Sequence, residues 1–510
     1  MDKGSVGIIG AGFAGLAAAR YLSSEGFAVT LFESHSDIGG QWNRFNPRSG
    51  VWPQMRTNTA KFVTKLSDVQ YPDSVKLFPR NSEVLDMINE FADLHDLRRS
   101  VRLSTTVTGL RRVEGGFEIT STGLDGERVD VFSRVVISSG RYNCPDIPDI
   151  PGLDSFSGSE GVIHAFRYKH PERYRDKRVI VCGGSISALE IVSDLAMMGT
   201  ERAYLSQRRQ RYVMPKMVAG TPIEYFVFTR GGGLSIATTT VEDRLAAQKE
   251  ELLRLAGDPV RYGAPAPHED IEHAGVTCGQ HYYNLVAEDR IDVRQWIARV
   301  DGTHVTFTDG YVVEADGIIV GTGFDLDLPY LHPEIADAVN LDTRGLDLAE
   351  FTFAPGLDGL AFMGLWSQVG PYPVVLEQQA RYIAYSWSGA IDPPTQQDLV
   401  RGVQACRDEQ HHVGYRSQHE MAIRFGRLAG VDPGRIDDED LQRILSHSAV
   451  TGEMFRIVGH DRVAGAEETV RADMRRYAPP AVLAELEMLL PAPIGAMSER
   501  VSTAPDRLSR

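Results

Sequence analysis

Two short apolar runs, Val6 to Ile9 and Val179 to Cys182, each lead into a glycine-rich turn and then into a helix-forming stretch. Neither run alternates with polar residues, so each reads as a parallel strand buried on both faces. The first turn is Gly10-Ala11-Gly12-Phe13-Ala14-Gly15, ahead of a helix from Leu16 to Leu22. The second is Gly183-Gly184-Ser185-Ile186-Ser187-Ala188, ahead of a helix from Leu189 to Met197. Strand, glycine turn and helix in this order make a cradle for phosphate. The first glycine permits the tight turn, the second lets the backbone approach a pyrophosphate, and the third packs helix on strand.

Each unit continues into a second strand. Val29-Thr30-Leu31-Phe32 ends at Glu33, 18 positions after Gly15, where an acid suits a ribose diol. Ala203-Tyr204-Leu205 ends at Ser206, 18 positions after Ala188, and Ser206-Gln207-Arg208-Arg209 stands where that acid is missing. A guanidinium beside a ribose suits a 2'-phosphate, which a carboxylate repels. The first site is therefore assigned to FAD, on Gly10, Gly12, Gly15 and Glu33. The second is assigned to NADPH, on Gly183, Ser185, Ser187, Ala188, Ser206, Arg208 and Arg209. NADPH then reduces the flavin by hydride transfer. No CxxC pair is present to make the chain a disulfide reductase.

Several further segments occur in a telling order. Ile38-Gly39-Gly40-Gln41-Trp42 resembles a GGxW segment, and Arg56-Thr57-Asn58-Thr59-Ala60-Lys61 a TNT(S/P)K segment. Phe156-Ser157-Gly158 with His164-Ala165-Phe166-Arg167-Tyr168 resembles the fingerprint FxGxxxHxxx(Y/F). Gly321-Thr322-Gly323-Phe324 resembles ATGY, with Ser138-Ser139-Gly140 as an earlier equivalent, and Glu377-Gln378-Gln379-Ala380-Arg381 matches ExQAR. Together, from about residue 5 to about residue 395, the chain resembles the class B flavin-dependent monooxygenases, specifically the flavin-containing monooxygenase family. The resemblance implies that Gly40, Gln41, Trp42, Thr322 and Gly323 belong to the cofactor sites. It also implies that Asn58 lies near flavin C4a. Five residues rather than three separate Gly158 from His164, a departure that favours a hinge role for His164 over a catalytic one. Pro371 and Pro373 suit the start of a helix whose positive end faces the flavin N1 and O2 edge.

The order of segments implies a discontinuous FAD domain, residues 1–155 and 320–395, with the NADPH domain, 165–318, inserted in it. The fold class expected is α/β, with two Rossmann-like dinucleotide-binding domains and a helical C-terminal extension over 396–510. Within the second domain, 217–275 is an insertion with a helix from Val241 to Ala256, read either as a substrate-side cap or as packing. In the extension, Asp437 to Leu445 and Ala464 to Tyr477 are the clearest helices, and Ser498 to Arg510 reads as a mobile tail.

Composition narrows the partners. The 510 residues carry 53 Lys plus Arg against 69 Asp plus Glu, a formal charge of -16, which argues against nucleic-acid binding. No run of 18 apolar residues predicts a membrane span. Cys144, Cys182, Cys278 and Cys406 are widely spaced, as in a reduced, cytoplasmic protein without a zinc site. His411 and His412 are adjacent and do not share a helix face, so no metal is assigned. A homodimer is compatible with the extension.

The reading is an FAD- and NADPH-dependent monooxygenase that forms a flavin C4a-hydroperoxide and passes one oxygen from O2 to nitrogen or sulfur of a small molecule. Asn58 is the catalytic candidate, or else a turn amide capping a helix near Ala60. Two rivals stand beside this reading: a Baeyer-Villiger monooxygenase, less favoured because Tyr168 stands where that group carries Trp, and a redox-sensing flavoprotein of low turnover.

Overall fold

The computed structural model describes residues 3–412, 416–434 and 436–490, the side chains of 409–412 and 487 apart; the tail from Ser498 to Arg510 and the His411-His412 side chains lie outside the described residues. Two five-stranded parallel sheets organise the chain. The first runs Leu360–Phe362, Arg134–Ile137, Ser5–Ile9, Ala28–Phe32, Val101–Arg102. The second runs Ile291–Arg294, Arg202–Ser206, Arg178–Cys182, Gly317–Val320, Gly161–His164. Both central strands are buried after their first residue, Val6 to Ile9 and Val179 to Cys182, as continuous apolar patterning requires. Ile9 pairs with Phe32 in one and Cys182 with Ser206 in the other, so both sheets end at a glycine turn in the same register.

Each sheet carries an antiparallel meander of three strands. Thr106–Val113, Gly116–Gly123 and Gly126–Phe132 form one, and Ile297–Asp301, His304–Phe307 and Val312–Glu314 the other. The return of Leu360–Phe362 to the first sheet makes that sheet discontinuous in sequence. The second sheet begins earlier than the boundary at 165, because Gly161 to His164 pairs with Gly317 to Val320 as its edge strand. The same pairing moves Val320 out of the FAD domain.

The helices after the turns are Phe13–Ser24 and Ile186–Met198, each a turn longer at its start than the apolar pattern indicates. A third, Pro373–Ser388, has Pro373 in its first turn, where a missing N–H costs nothing. The C-terminal extension is no appendage. Met421, Phe425, Ile444, Leu445 and Met474 share one core with Leu16, Leu22, Val374 and Ile383. Of the helices there, Gln418–Leu428 packs on Pro373–Ser388, which packs on Phe13–Ser24, and Glu439–His447 and Ala466–Tyr477 pack on each other. Buried charges pin the layers: Tyr21 donates to Glu377 at 2.8 Å, and Arg381 Nε donates to Asp461 at 3.0 Å. Glu377 and Arg381 of the ExQAR segment are thus core ties, each almost wholly buried.

Candidate active site

The first glycine turn is closed from inside. Gly10 adopts φ +102°, a left-handed conformation in which a Cβ would meet the Ser138 carbonyl at 2.7 Å. A Cβ on Gly15 would lie 1.9 Å from the Gly10 carbonyl, so the third glycine lets helix and strand touch. At Gly12 the nearest atom is Gly40 Cα, 3.6 Å from a Cβ. The cradle is therefore narrow but open at Gly12, and the Gly39-Gly40 turn flanks it. Gln41 secures that turn: its amide donates to the Arg48 and Tyr142 carbonyls, and its oxygen accepts from the Gly50 N–H, all at 2.9 Å.

The second turn follows the same plan with different side chains. Gly183 has φ +130° and approaches the Gly321 carbonyl so closely that a Cβ would lie 2.4 Å from it. Two of the expected NADPH contacts face elsewhere. Ala188 packs into the turn beside Gly183 and Gly321. Ser206 is fully buried and donates to the Gln295 carbonyl at 3.1 Å. The last residue of a buried parallel strand points into the layer, so neither side chain reaches the cleft. Arg208 and Arg209 are exposed; the Arg208 guanidinium lies 4.6 Å from the Trp296 ring centre, and Arg209 donates to the His273 carbonyl.

Between the turns lies a cavity of about 1100 Å³. Phe13, Gln41 and Trp42 line one side, Gly183, Gly184, Ser185 and Ser187 another, and Thr322 and Gly323 the crossover between the sheets. Arg56, Arg141, Arg208, Arg209 and Arg211 also line it, against the acids Asp146 and Glu190. An acidic protein thus presents a cationic cleft, which suits two pyrophosphates and a 2'-phosphate. Thr322 donates to the Asp146 carbonyl at 2.5 Å, and the Gly323 carbonyl accepts from His164 Nε2 at 3.0 Å. His164 Nδ1 accepts from the Phe166 N–H, so the ring is neutral, as its burial favours, and ties the Gly323 crossover to the turn at Phe166.

Asn58 sits in the cavity wall. Its side-chain oxygen is buried and has no hydrogen-bond partner, an arrangement that costs about 1 to 3 kcal/mol and fits a site completed by a bound polar group. The capping alternative fails, because residues 57–66 form bends and turns and no helix begins at Ala60.

Residues 3–432 match the family described as flavin-binding monooxygenase-like. The chain belongs to this family. It is a flavin-dependent monooxygenase. The dimethylaniline monooxygenase [N-oxide-forming] 2 of Cavia porcellus is 25% identical over 504 residues, covering 93% of this chain and 92% of the relative. The fold matches the S-allyl-L-cysteine S-oxygenase of Allium sativum with a TM-score of 0.64 at 22% identity, over 96% of this chain and 99% of the other. It also matches the NADP+-bound cyclohexanone monooxygenase of Rhodococcus sp. Phi1, with a TM-score of 0.61 at 20% identity, over 84% and 97%.

Against this flavin-monooxygenase frame, Tyr168 is a core residue. It is fully buried, donates to Asp194 at 2.9 Å, and packs edge-on against Trp52, which does line the cavity. Part of the insertion forms cavity wall, through Ile223 and Phe228, while its helix Val241–Ala256 packs outside on Tyr212 and Met214. Sequence reasoning missed Lys216 and Glu224. Lys216 is buried beside Thr57 and Glu190; Glu224 is fully buried beside Ala60. The one signal for Glu224 is an acid inside the apolar run Ile223 to Phe228.

Proposed function

We propose that this monooxygenase uses FAD and NADPH to oxygenate a nucleophilic nitrogen or sulfur of a small molecule, in the cytoplasm. The single observation that carries the reading is the unpartnered Asn58 amide oxygen in a wall shared by both glycine-turn sides of the cleft. Bound FAD, reduced by NADPH, supplies the electrons that activate O2. The chain's own contribution is confinement and polarity. Phe13, Trp52, Met55, Ile223 and Phe228 exclude water, and Asn58 offers one amide to the reacting centre. Arg208 stacked on Trp296 offers its guanidinium edge to the coenzyme's 2'-phosphate. Cys144, Cys182, Cys278 and Cys406 form no disulfide, in keeping with a reducing compartment.

One observation favours the Baeyer-Villiger rival. Arg56, two residues before Asn58, lines the cavity and spends only one bond, at 3.2 Å, on the Phe78 carbonyl. Such a cation suits stabilisation of an oxyanion. A paired assay separates the two: thioether, tertiary amine and cyclic ketone at matched concentration, with NADPH and O2, scored as product per NADPH. Sulfoxide or N-oxide is expected. Lactone without either product reverses the assignment, and slow NADPH oxidation with every substrate favours the low-turnover flavoprotein.

A further inference from the structure

The hairpin that opens the insertion, strands Met217–Val218 and Thr221–Pro222, grips the Asn58 segment on both sides. At its base the Ile223 N–H donates to the Lys216 carbonyl at 3.0 Å, which brings Lys216 and Glu224 to the same end. Lys216 Nζ donates to the Thr57 carbonyl at 3.3 Å. Glu224 Oε1 accepts from the Ala60 N–H at 2.7 Å. Thr57 and Ala60 bracket Asn58, in a stretch without helix or strand that is tied elsewhere by the Thr57 N–H to the Pro79 carbonyl at 3.0 Å and the Lys61 N–H to the Leu77 carbonyl at 2.8 Å.

Glu224 is fully buried and Lys216 largely so, and Glu224 Oε2 has no partner among the described residues. Burying a carboxyl with only half its bonding capacity met opposes stability, so folding alone gives no reason for an acid here. The segment that follows the hairpin and carries Glu224 is itself anchored. The Phe228 carbonyl accepts from the Val450 N–H at 3.0 Å, the Arg230 N–H donates to the Ser448 carbonyl at 2.9 Å, and Arg230 pairs with Asp432 at 2.6 Å. Lys216 also lies 3.5 Å from Glu190, on the helix behind the second glycine turn. The clip therefore joins the C-terminal layer, the NADPH-side helix and the Asn58 backbone.

We propose that Lys216 and Glu224 are positioning residues for oxygen transfer, fixing the backbone on either side of Asn58 so that its amide is presented at the cavity wall. Neither side chain lines the cavity. The inference rests on the reading of Asn58 given above.

The test compares wild type, Glu224→Met, Glu224→Gln, Glu224→Asp and Lys216→Met for product per NADPH oxidised, flavin content and NADPH KM. Glu224→Met matches the length and removes the acceptor; coupling should fall on the order of tenfold with flavin content and NADPH KM unchanged. Glu224→Gln keeps an oxygen for the Ala60 N–H and should couple like wild type. Lys216→Met should lose coupling in the same way. If Glu224→Met does not fold, Glu224→Asp decides, because it keeps the acid but withdraws it by one methylene: lowered coupling with full flavin supports the clip, and wild-type coupling overturns it. Wild-type coupling in folded Glu224→Met, or joint loss of flavin and coupling, also overturns it. A wild type that oxidises NADPH but oxygenates no substrate defeats the functional reading itself, whatever the variants do.

Discussion

Glu33 Oε2 accepts the Ala11 N–H at 2.9 Å, so the acid that ends the second strand sits inside the first glycine turn. Its other oxygen accepts from the His35 N–H at 2.9 Å. The carboxylate is thereby held at the turn, where the sequence expectation puts an acid for a ribose diol.

The three glycines of this turn should fail in different ways. The new Cβ of Gly12→Val meets only the Gly40 backbone, at 3.6 and 3.9 Å, so the variant should fold. It should bind little flavin, because the side chain fills the approach to the pyrophosphate. Gly15→Ala drives a Cβ to 1.9 Å from the Gly10 carbonyl and should cost about 2 kcal/mol or more, seen as a lower melting temperature. Full flavin in folded Gly12→Val would remove the first site's assignment.

NADPH should be preferred to NADH, with Arg208 the larger contributor. Arg209 already donates to the His273 carbonyl, whereas Arg208 is held only by its stack on Trp296. A charge-assisted bond is worth about 1.5 to 3 kcal/mol, so Arg208→Ala should shift the NADPH to NADH ratio of kcat/KM at least about tenfold. Steady-state kinetics with both coenzymes checks this, and an unchanged ratio refutes it.

Asn58→Leu should uncouple the enzyme without destabilising it. The amide oxygen has no partner among the described residues, so its loss removes a desolvation cost, and the melting temperature should hold or rise. Oxygen uptake should then yield hydrogen peroxide in place of product, measured by peroxide release per NADPH.

Burial pushes the Glu224 carboxyl up to about 7 from its ordinary 4.5. The folded chain therefore binds this proton more tightly than the unfolded one. Stability from this group is greatest at low pH, falls as pH rises from about 4.5 to about 7, and is flat above. Burial likewise pushes the nearby Cys278 thiol up to about 12, so it stays neutral throughout. Glu224→Gln has no such titration. Its melting temperature relative to wild type should rise between pH 5 and pH 8, by an amount corresponding to about 2 to 3 kcal/mol. A pH-independent difference would contradict the burial argument.

Much of the cleft was legible in the chain because its parts are local. The strand, turn and helix of each glycine motif are contiguous, and the positive φ of Gly10 and Gly183 is a demand only glycine meets at no cost. Ala188 packs helix on strand, as the third position of the motif should, while packing alone decides that the Ser206 hydroxyl turns to the Gln295 carbonyl and away from the cleft. The ranking built on Tyr168 met the same limit, since that ring lies behind Trp52 and does not reach the cavity.

The sequence by itself determined the two Rossmann-like units and the family, because backbone conformation and short-range spacing decide these; the roles of Glu33, Arg208, Arg209 and Asn58 stay proposals. Only the tertiary structure decided that the extension after residue 396 is part of the core, that the second sheet starts at Gly161, and that Lys216 and Glu224 hold the backbone around Asn58. The physical reason is distance along the chain. Glu224 meets Ala60 across 164 residues, and no periodicity or turn chemistry records a contact that exists only once separate layers have packed.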